Sequence, residues 1–305
     1  MAKIALVQDA PAWLDRAATL ARCAGFAARA AGEGAKLVVF PESFVSGYPD
    51  WIWRLRPGPD AKIVSDLHQR LIDSAVDLSR GDLDPLREAA RASGIAIVCG
   101  LNELHPKTRG SLYNTVVTIG ADGTLLNSHR KLVPTNPERM VWAQGDGAGL
   151  SVVETPAGRT AALICWENYM PLARAALYAQ GVDLYLAPTW DHGEGWLASM
   201  QHIAREARCW VAAPAYCIQG RDMPSWLPGR EQIYSDPEEW VHPGDSVVVD
   251  PMGKIAAGPL RRERGILYAD CDLERVQQAR RTLDVAGHYS RPDVFSLQIR
   301  RFDGK

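Results

Sequence analysis

No uninterrupted apolar run in these 305 residues approaches the ~18 needed to cross a bilayer. Charge of one sign is not in excess either: 34 Lys and Arg stand against 36 Asp and Glu, a formal net charge of −2. That balance removes the electrostatic case for nucleic acid or an anionic membrane as the main partner. The six cysteines (Cys23, Cys99, Cys165, Cys209, Cys217 and Cys271) form no C-x-x-C pair, and their spacing suggests neither zinc nor a disulfide framework. H-E-x-x-H and a glycine-rich phosphate fingerprint are also missing. His202 and Glu206, at i and i+4, read as a surface hydrogen bond. No metal and no organic cofactor is expected. The opening M-A-K-I-A-L-V-Q-D meets an acid at Asp9 and reads as a first strand rather than a secretory leader. A soluble, reduced, cytoplasmic protein is therefore the expectation.

What is present supports a large core, since 47% of the chain is apolar and 23% charged. Strand and helix alternate. Strands are predicted over Lys3–Gln8, Lys36–Phe40, Ile95–Cys99, Asp183–Ala187, Trp210–Cys217 and Gly265–Asp270. Helices are predicted over Asp15–Ala31, Leu83–Ser93, Pro171–Gln180, Leu197–Arg208 and Leu273–Leu283. Hairpins are expected where Tyr113–Ile119 and Thr124–His129 flank Asp122-Gly123, where Ser151–Glu154 and Arg159–Ile164 flank Pro156-Ala157-Gly158, and where Ser246–Asp250 and Lys254–Ala257 flank Pro251-Met252-Gly253. Met223–Pro243, rich in Pro, Trp and Gly, reads as an irregular surface or lid segment. With no repeat or linker, residues 1–305 read as one α/β domain with a mixed sheet.

Three segments place a reactive side chain just past a strand, where α/β proteins usually build their sites. Pro41 stops the second strand and Glu42 follows among Phe40, Phe44 and Val45. A carboxylate there is partly desolvated and becomes a better base. In H-R-K-L-V-P-T-N-P-E-R, Lys131 turned inward would be a fixed cation that Glu138 could orient, with Pro134 and Pro137 stiffening the loop. Read blandly, His129-Arg130-Lys131 is a solvated strand end. In C-W-E-N-Y-M-P-L-A-R a buried strand is expected to end at Cys165, where a helix start would favour thiolate. The bland reading there is a small buried apolar residue.

Taken together, in the order Glu, Lys, Cys, these segments resemble the nitrilase (carbon–nitrogen hydrolase) superfamily. The resemblance rests on F-P-E-S-F-V-S-G-Y-P, H-R-K-L-V-P-T-N-P-E-R, C-W-E-N-Y-M-P-L-A-R, I-A-R-E-A-R, V-V-V-D-P-M-G-K and D-V-A-G-H-Y-S-R-P-D-V-F, which span nearly the whole chain. It implies an αββα sandwich that pairs into an αββα–αββα homodimer or a higher homo-oligomer. It also implies that Glu42 is general base, Lys131 the stabilising cation, Cys165 the nucleophile and Glu138 a supporting carboxylate. Ala143 departs from the glycine usual in the family. W-E-N-Y-M-P-L after the cysteine looks like true nitrilases, so hydrolysis of a small-molecule nitrile to acid and ammonia is the expected activity. An aliphatic amidase, an N-carbamoyl amidohydrolase and a cyanide-hydrolysing relative are the alternatives, and a non-catalytic binding scaffold is disfavoured by the complete Glu–Lys–Cys set. Tyr48, Trp51, Trp53, Trp166 and Trp190 are candidate aromatic walls, with His192 a candidate pocket residue. Leu172, Ala176 and Leu177 are expected to form an apolar stripe for the dimer face.

Overall fold

The computed structural model describes residues 1–301. Its strands are β1 (Ala2–Gln8), β2 (Leu37–Val39), β3 (Ala96–Leu104), β4 (Leu112–Ile119), β5 (Leu125–Arg130), β6 (Val153–Thr155), β7 (Gly158–Ala162), β8 (Leu184–Leu186), β9 (Trp210–Ala213), β10 (Ile218–Gln219), β11 (Trp240–His242), β12 (Gly244–Val249), β13 (Ile255–Arg261) and β14 (Gly265–Cys271). The α-helices are α1 (Arg16–Gly32), α2 (Ala61–Ser74), α3 (Asp84–Ser93), α4 (Pro171–Tyr178), α5 (Glu194–Ala207), α6 (Arg230–Ile233) and α7 (Glu274–Arg280).

Two six-stranded sheets form, in the orders β14-β1-β2-β3-β4-β5 and β13-β12-β9-β8-β7-β6, and β10 and β11 make a separate ribbon. The single mixed sheet read from strand alternation is thus corrected to two, as the αββα resemblance implies. Period-two alternation explains the stacking. In β1, Ala5 and Val7 face a core shared with α1, α2 and α3, whereas Ile4 and Leu6 face the other sheet. In β8, Leu184 and Leu186 meet that same central layer, whereas Tyr185 packs with Trp196, Met200 and Ile203 of α5. Three apolar layers therefore separate helix, sheet, sheet and helix. From β14 the first sheet pairs antiparallel, parallel, parallel, antiparallel, antiparallel, and from β6 the second repeats that sequence of pairings.

The three expected hairpins form, and Asp15 caps α1 by accepting the Ala18 N–H at 2.9 Å. Several elements differ from expectation. Helix α2 follows R-P-G-P-D, and only Leu67, Leu71 and Ser74 of its residues are buried, so its apolar stripe is narrow. Strand β3 runs on past Cys99 through Gly100, Asn102 and Glu103, because these polar groups are satisfied inside: Asn102 donates to Gly47 O at 3.0 Å and accepts from Trp142 Nε1 at 2.9 Å. Strand β9 stops at Ala213, before the proline that has no N–H to pair. Met223–Pro243 is not a loose surface segment. It contains α6 and β11, and Met223, Leu227, Ile233, Tyr234 and Val241 sit in the helix-side core.

In α4, Leu177 turns inward to the core and Ala176 is buried, while Leu172 is 69% exposed. The expected dimer stripe is corrected accordingly, because the α4 side turned toward Val285–Leu297 carries Pro171, Leu172, Ala175 and Ala179 along a groove of about 970 Å³.

Glycine at 100 lets the loop after β2 cross β3. A Cβ there would lie 2.3 Å from Pro41 O and 2.4 Å from Ser43 N, both rigid backbone atoms. Gly100→Ala is expected to cost about 1–3 kcal/mol of stability by overpacking, read from the shift of the urea midpoint. An unchanged midpoint would show that this crossing has slack.

Candidate active site

Both sheets deliver side chains at the carboxyl ends of parallel strands. Glu42 lies three residues beyond β2 and Cys165 three residues beyond β7. Lys131 directly follows β5, and its backbone N–H donates to Asn114 O at 2.7 Å. His129 and Lys131 are buried, whereas Arg130 between them reaches outward to pair with Glu103 and lie over the Tyr113 ring. Strand alternation thus decides against the solvated strand end.

The Lys131 ammonium sits between two carboxylates, 2.8 Å from Glu42 Oε1 and 2.7 Å from Glu138 Oε2. All three side chains are buried. Asn114 Nδ2 donates to Glu42 Oε1 at 2.6 Å, and the Trp190 backbone N–H donates to Glu42 Oε2 at 2.8 Å. Glu138 accepts from Tyr48 Oη on Oε1 at 2.7 Å and from the Thr135 N–H on Oε2 at 2.7 Å. Tyr216 Oη donates to the Glu42 carbonyl at 2.6 Å. Every carboxylate oxygen in the cluster is therefore held by a fixed donor.

Burial pushes the Glu42 carboxyl above its ordinary value, with Lys131 opposing and Glu138 adding to the shift. Burial alone would lower the Lys131 ammonium, but the charges of Glu42 and Glu138 outweigh it, and the group stays protonated. Cys165 does not end its strand. Strand β7 stops at Ala162, and Cys165 opens a five-residue 3₁₀ turn, Cys165–Tyr169, with φ +50°. Its N–H donates to Pro188 O at 2.9 Å. Burial and then the Glu42 carboxylate push the thiol well above its usual range, against Lys131. The helix start expected at Cys165 is corrected to a 3₁₀ turn, and burial there favours the neutral thiol over the thiolate.

A cavity of about 230 Å³ opens on these groups, lined by Tyr48, Glu138, Cys165, Trp166, Trp190 and His192 among others. The rings of Tyr48 and Trp190 stack at 4.3 Å, and Trp166, at 45% exposure, lies at the mouth with its Nε1 donating to Asp191 Oδ2 at 2.8 Å. Trp53 joins this wall and donates to Tyr48 Oη at 3.0 Å, whereas Trp51 points away into the helix-side core. Asn114, Asp50, Thr135, Asp191 and Tyr216 escaped the sequence reading. Asn114 alone carries a signal there, as a polar residue inside the buried run of β4. The other five cysteines are free and buried, away from this cavity.

Residues 3–281 match the family model described as carbon-nitrogen hydrolase. The chain is 38% identical to nitrilase 3 of Arabidopsis thaliana over 301 residues, covering 97% of this chain and 86% of that protein. It is equally 38% identical to the aliphatic nitrilase of Sinorhizobium fredii (strain HH103) over 304 residues, with 97% and 95% covered. Among solved structures it resembles Saccharomyces cerevisiae Nit3, a member of branch 10 of the nitrilase superfamily, with a TM-score of 0.70 at 24% identity over 94% of this chain and 96% of that one. An amidase from Nesterenkonia sp. superposes with a TM-score of 0.65 at 25% identity over 92% and 94%. Fold, site and likeness agree, and the chain belongs to the carbon-nitrogen hydrolase family, a hydrolase of carbon–nitrogen bonds.

Proposed function

We propose that this enzyme is a nitrilase, converting R–C≡N and two waters to R–COOH and NH₃. The observation that carries this reading is the buried Lys131 held between Glu42 and Glu138 beside the Cys165 thiol, in a chain whose relatives are named nitrilases. The residue roles are ours. Glu42 takes the Cys165 proton as sulfur attacks the nitrile carbon, and the nitrogen, gaining charge and then a proton, leaves a covalent thioimidate. Lys131 and the Trp166 backbone N–H stabilise the developing charge, one such donor being worth about 3 kcal/mol. Glu42 then activates a water that adds to the thioimidate carbon. Expelling ammonia leaves a thioester, which a second water opens to the acid. Expelling the thiolate instead releases the amide. Glu138 holds Lys131 against Glu42, and Tyr48, Trp166, Trp190 and His192 contact the substrate.

We also treat residues 1–305 as one catalytic domain, of which 302–305 lie outside the described residues, and we assign it to the cytoplasm. Among the described residues no helix is long and apolar enough to cross a membrane. Pairing of two copies through α4 and the C-terminal segment is supported by the exposed Leu172, Tyr289, Val294 and Phe295. Light scattering at micromolar concentration is expected to give at least a dimer; a ~33 kDa monomer would count against the pairing.

Cys165→Ala is expected to abolish turnover while the fold survives, and rapid quench of the native enzyme with substrate should leave adduct mass on Cys165 only. Mass on Cys99 or Cys209 would sink the assignment. In a panel of aliphatic, aromatic and arylaliphatic nitriles run beside their amides and N-carbamoyl amines, at least one nitrile is expected to yield acid and ammonia. Turnover of the amides alone would install the amidase reading instead. Because Glu42 must be ionised to accept the proton and its carboxyl is raised above 4.5, kcat/KM is expected to fall on the acid side with a midpoint above that value. A midpoint at or below it would remove Glu42 as the base.

A further inference from the structure

Another buried carboxylate, Glu167, lies outside the Lys131 cluster and joins the chain segments that carry Lys131 and Cys165. Glu167 Oε1 accepts the backbone N–H of Leu132, the residue after Lys131, at 2.8 Å. Its Oε2 accepts the backbone N–H of Ile164, the residue before Cys165, also at 2.8 Å. The Nε2 of His129, on β5, lies 3.0 Å from both oxygens, so one ring N–H is shared between them. Neither side chain meets water. The other ring nitrogen of His129 has no partner among the described residues, so the ring's polar contact is spent wholly on Glu167.

The geometry has a directional logic that the surrounding core lacks. Ile164 and Cys165 belong to the apolar layer between the sheets, with Val39, Val98 and Val116, and apolar contacts tolerate small sliding. A carboxylate accepting three N–H groups does not, because each bond has a preferred length and angle. All three partners are donors, so a neutral amide at position 167 would turn an NH₂ toward one of them. Cys165 itself is held at a left-handed φ of +50°, a conformation that persists only where the surroundings enforce it.

We propose that the Glu167–His129 pair is a positioning device for the reaction, locking the Cys165 turn of one sheet to the Lys131 segment of the other. The proposal rests on the roles given above to Cys165 and Lys131. Neither Glu167 nor His129 lines the cavity, so both act through their neighbours and not on substrate.

The test is steady-state kinetics on the best nitrile, with active-site titration to count competent enzyme. Glu167→Gln keeps the side-chain shape and is expected to lower kcat about 100-fold, the scale of a one-ångström misplacement, with KM changed by less than about threefold. His129→Leu should fall alike. His129→Gln, which retains an N–H aimed at Glu167, should recover to within about tenfold of the native enzyme. A purely structural role would instead lower the titrated fraction and the melting temperature and leave kcat per titrated site unchanged, and that result overturns the proposal. So does His129→Gln as inactive as His129→Leu. If Glu167→Gln does not fold, the two His129 variants decide by the same contrast. Native turnover abolished by Cys165→Ala but untouched by Glu167→Gln refutes the positioning role alone. A native enzyme indifferent to Cys165→Ala refutes the catalytic reading beneath it.

Discussion

An ammonium ion without water must be surrounded by acceptors that the protein holds in place. That requirement at Lys131 organises this molecule. Removing such an ion from water costs several kcal/mol even after relaxation, and attraction repays it only when the geometry is good and the remaining hydrogen bonds are made. The two carboxylates that offset the charge come from the loop after β2 and from the 3₁₀ turn Asn136–Met140. Each needs further donors of its own, which recruits Asn114 from β4, Trp190 from the loop after β8 and Tyr48 from the loop after Glu42. The cluster therefore draws on both sheets before any substrate is considered. Two carboxylates against one ammonium also leave an excess of negative charge, which adds to burial, the larger cause, in pushing the nearby thiol up. The same charge that suppresses the resting thiolate provides the base that forms it.

Legibility in the sequence follows how local each feature is. Hairpin turns and helix α1 are written in adjacent residues, and they form as read. The central strands were found from their apolar runs, but division into two sheets was not, because strands buried on both faces show the same pattern in either sheet. The strand expected over Ile95–Cys99 falls short of β3 because the polar half of β3 is satisfied only by distant partners. Glu42, Lys131, Glu138 and Cys165 were located through their flanking motifs, and the structure draws the three charged ones together with the thiol beside them. What motifs could not supply is direction. Trp51 and Trp53 are two residues apart, yet one enters the core and the other the cavity wall, since the 3₁₀ turn Asp50–Trp53 has neither strand nor α-helical period. Tyr216 reaches the Glu42 carbonyl across 174 residues of chain, a contact with no local signature.

The repeated pairing order of the sheets hides one asymmetry. In the second sheet the edge beside β7 is β6, its immediate predecessor, but in the first sheet the matching edge beside β1 is β14, from the far end of the chain. A ribosome delivers strands in chain order. Through almost all of synthesis β1 must therefore wait with one row of backbone groups unpaired, an edge open to any passing strand. By the time Gly265–Cys271 emerges to cover it, every strand of the second sheet has already been made. Strand β1 is thus among the last to be sealed, so a nascent chain cut short before residue 265 carries an exposed edge on the sheet that bears Glu42 and Lys131.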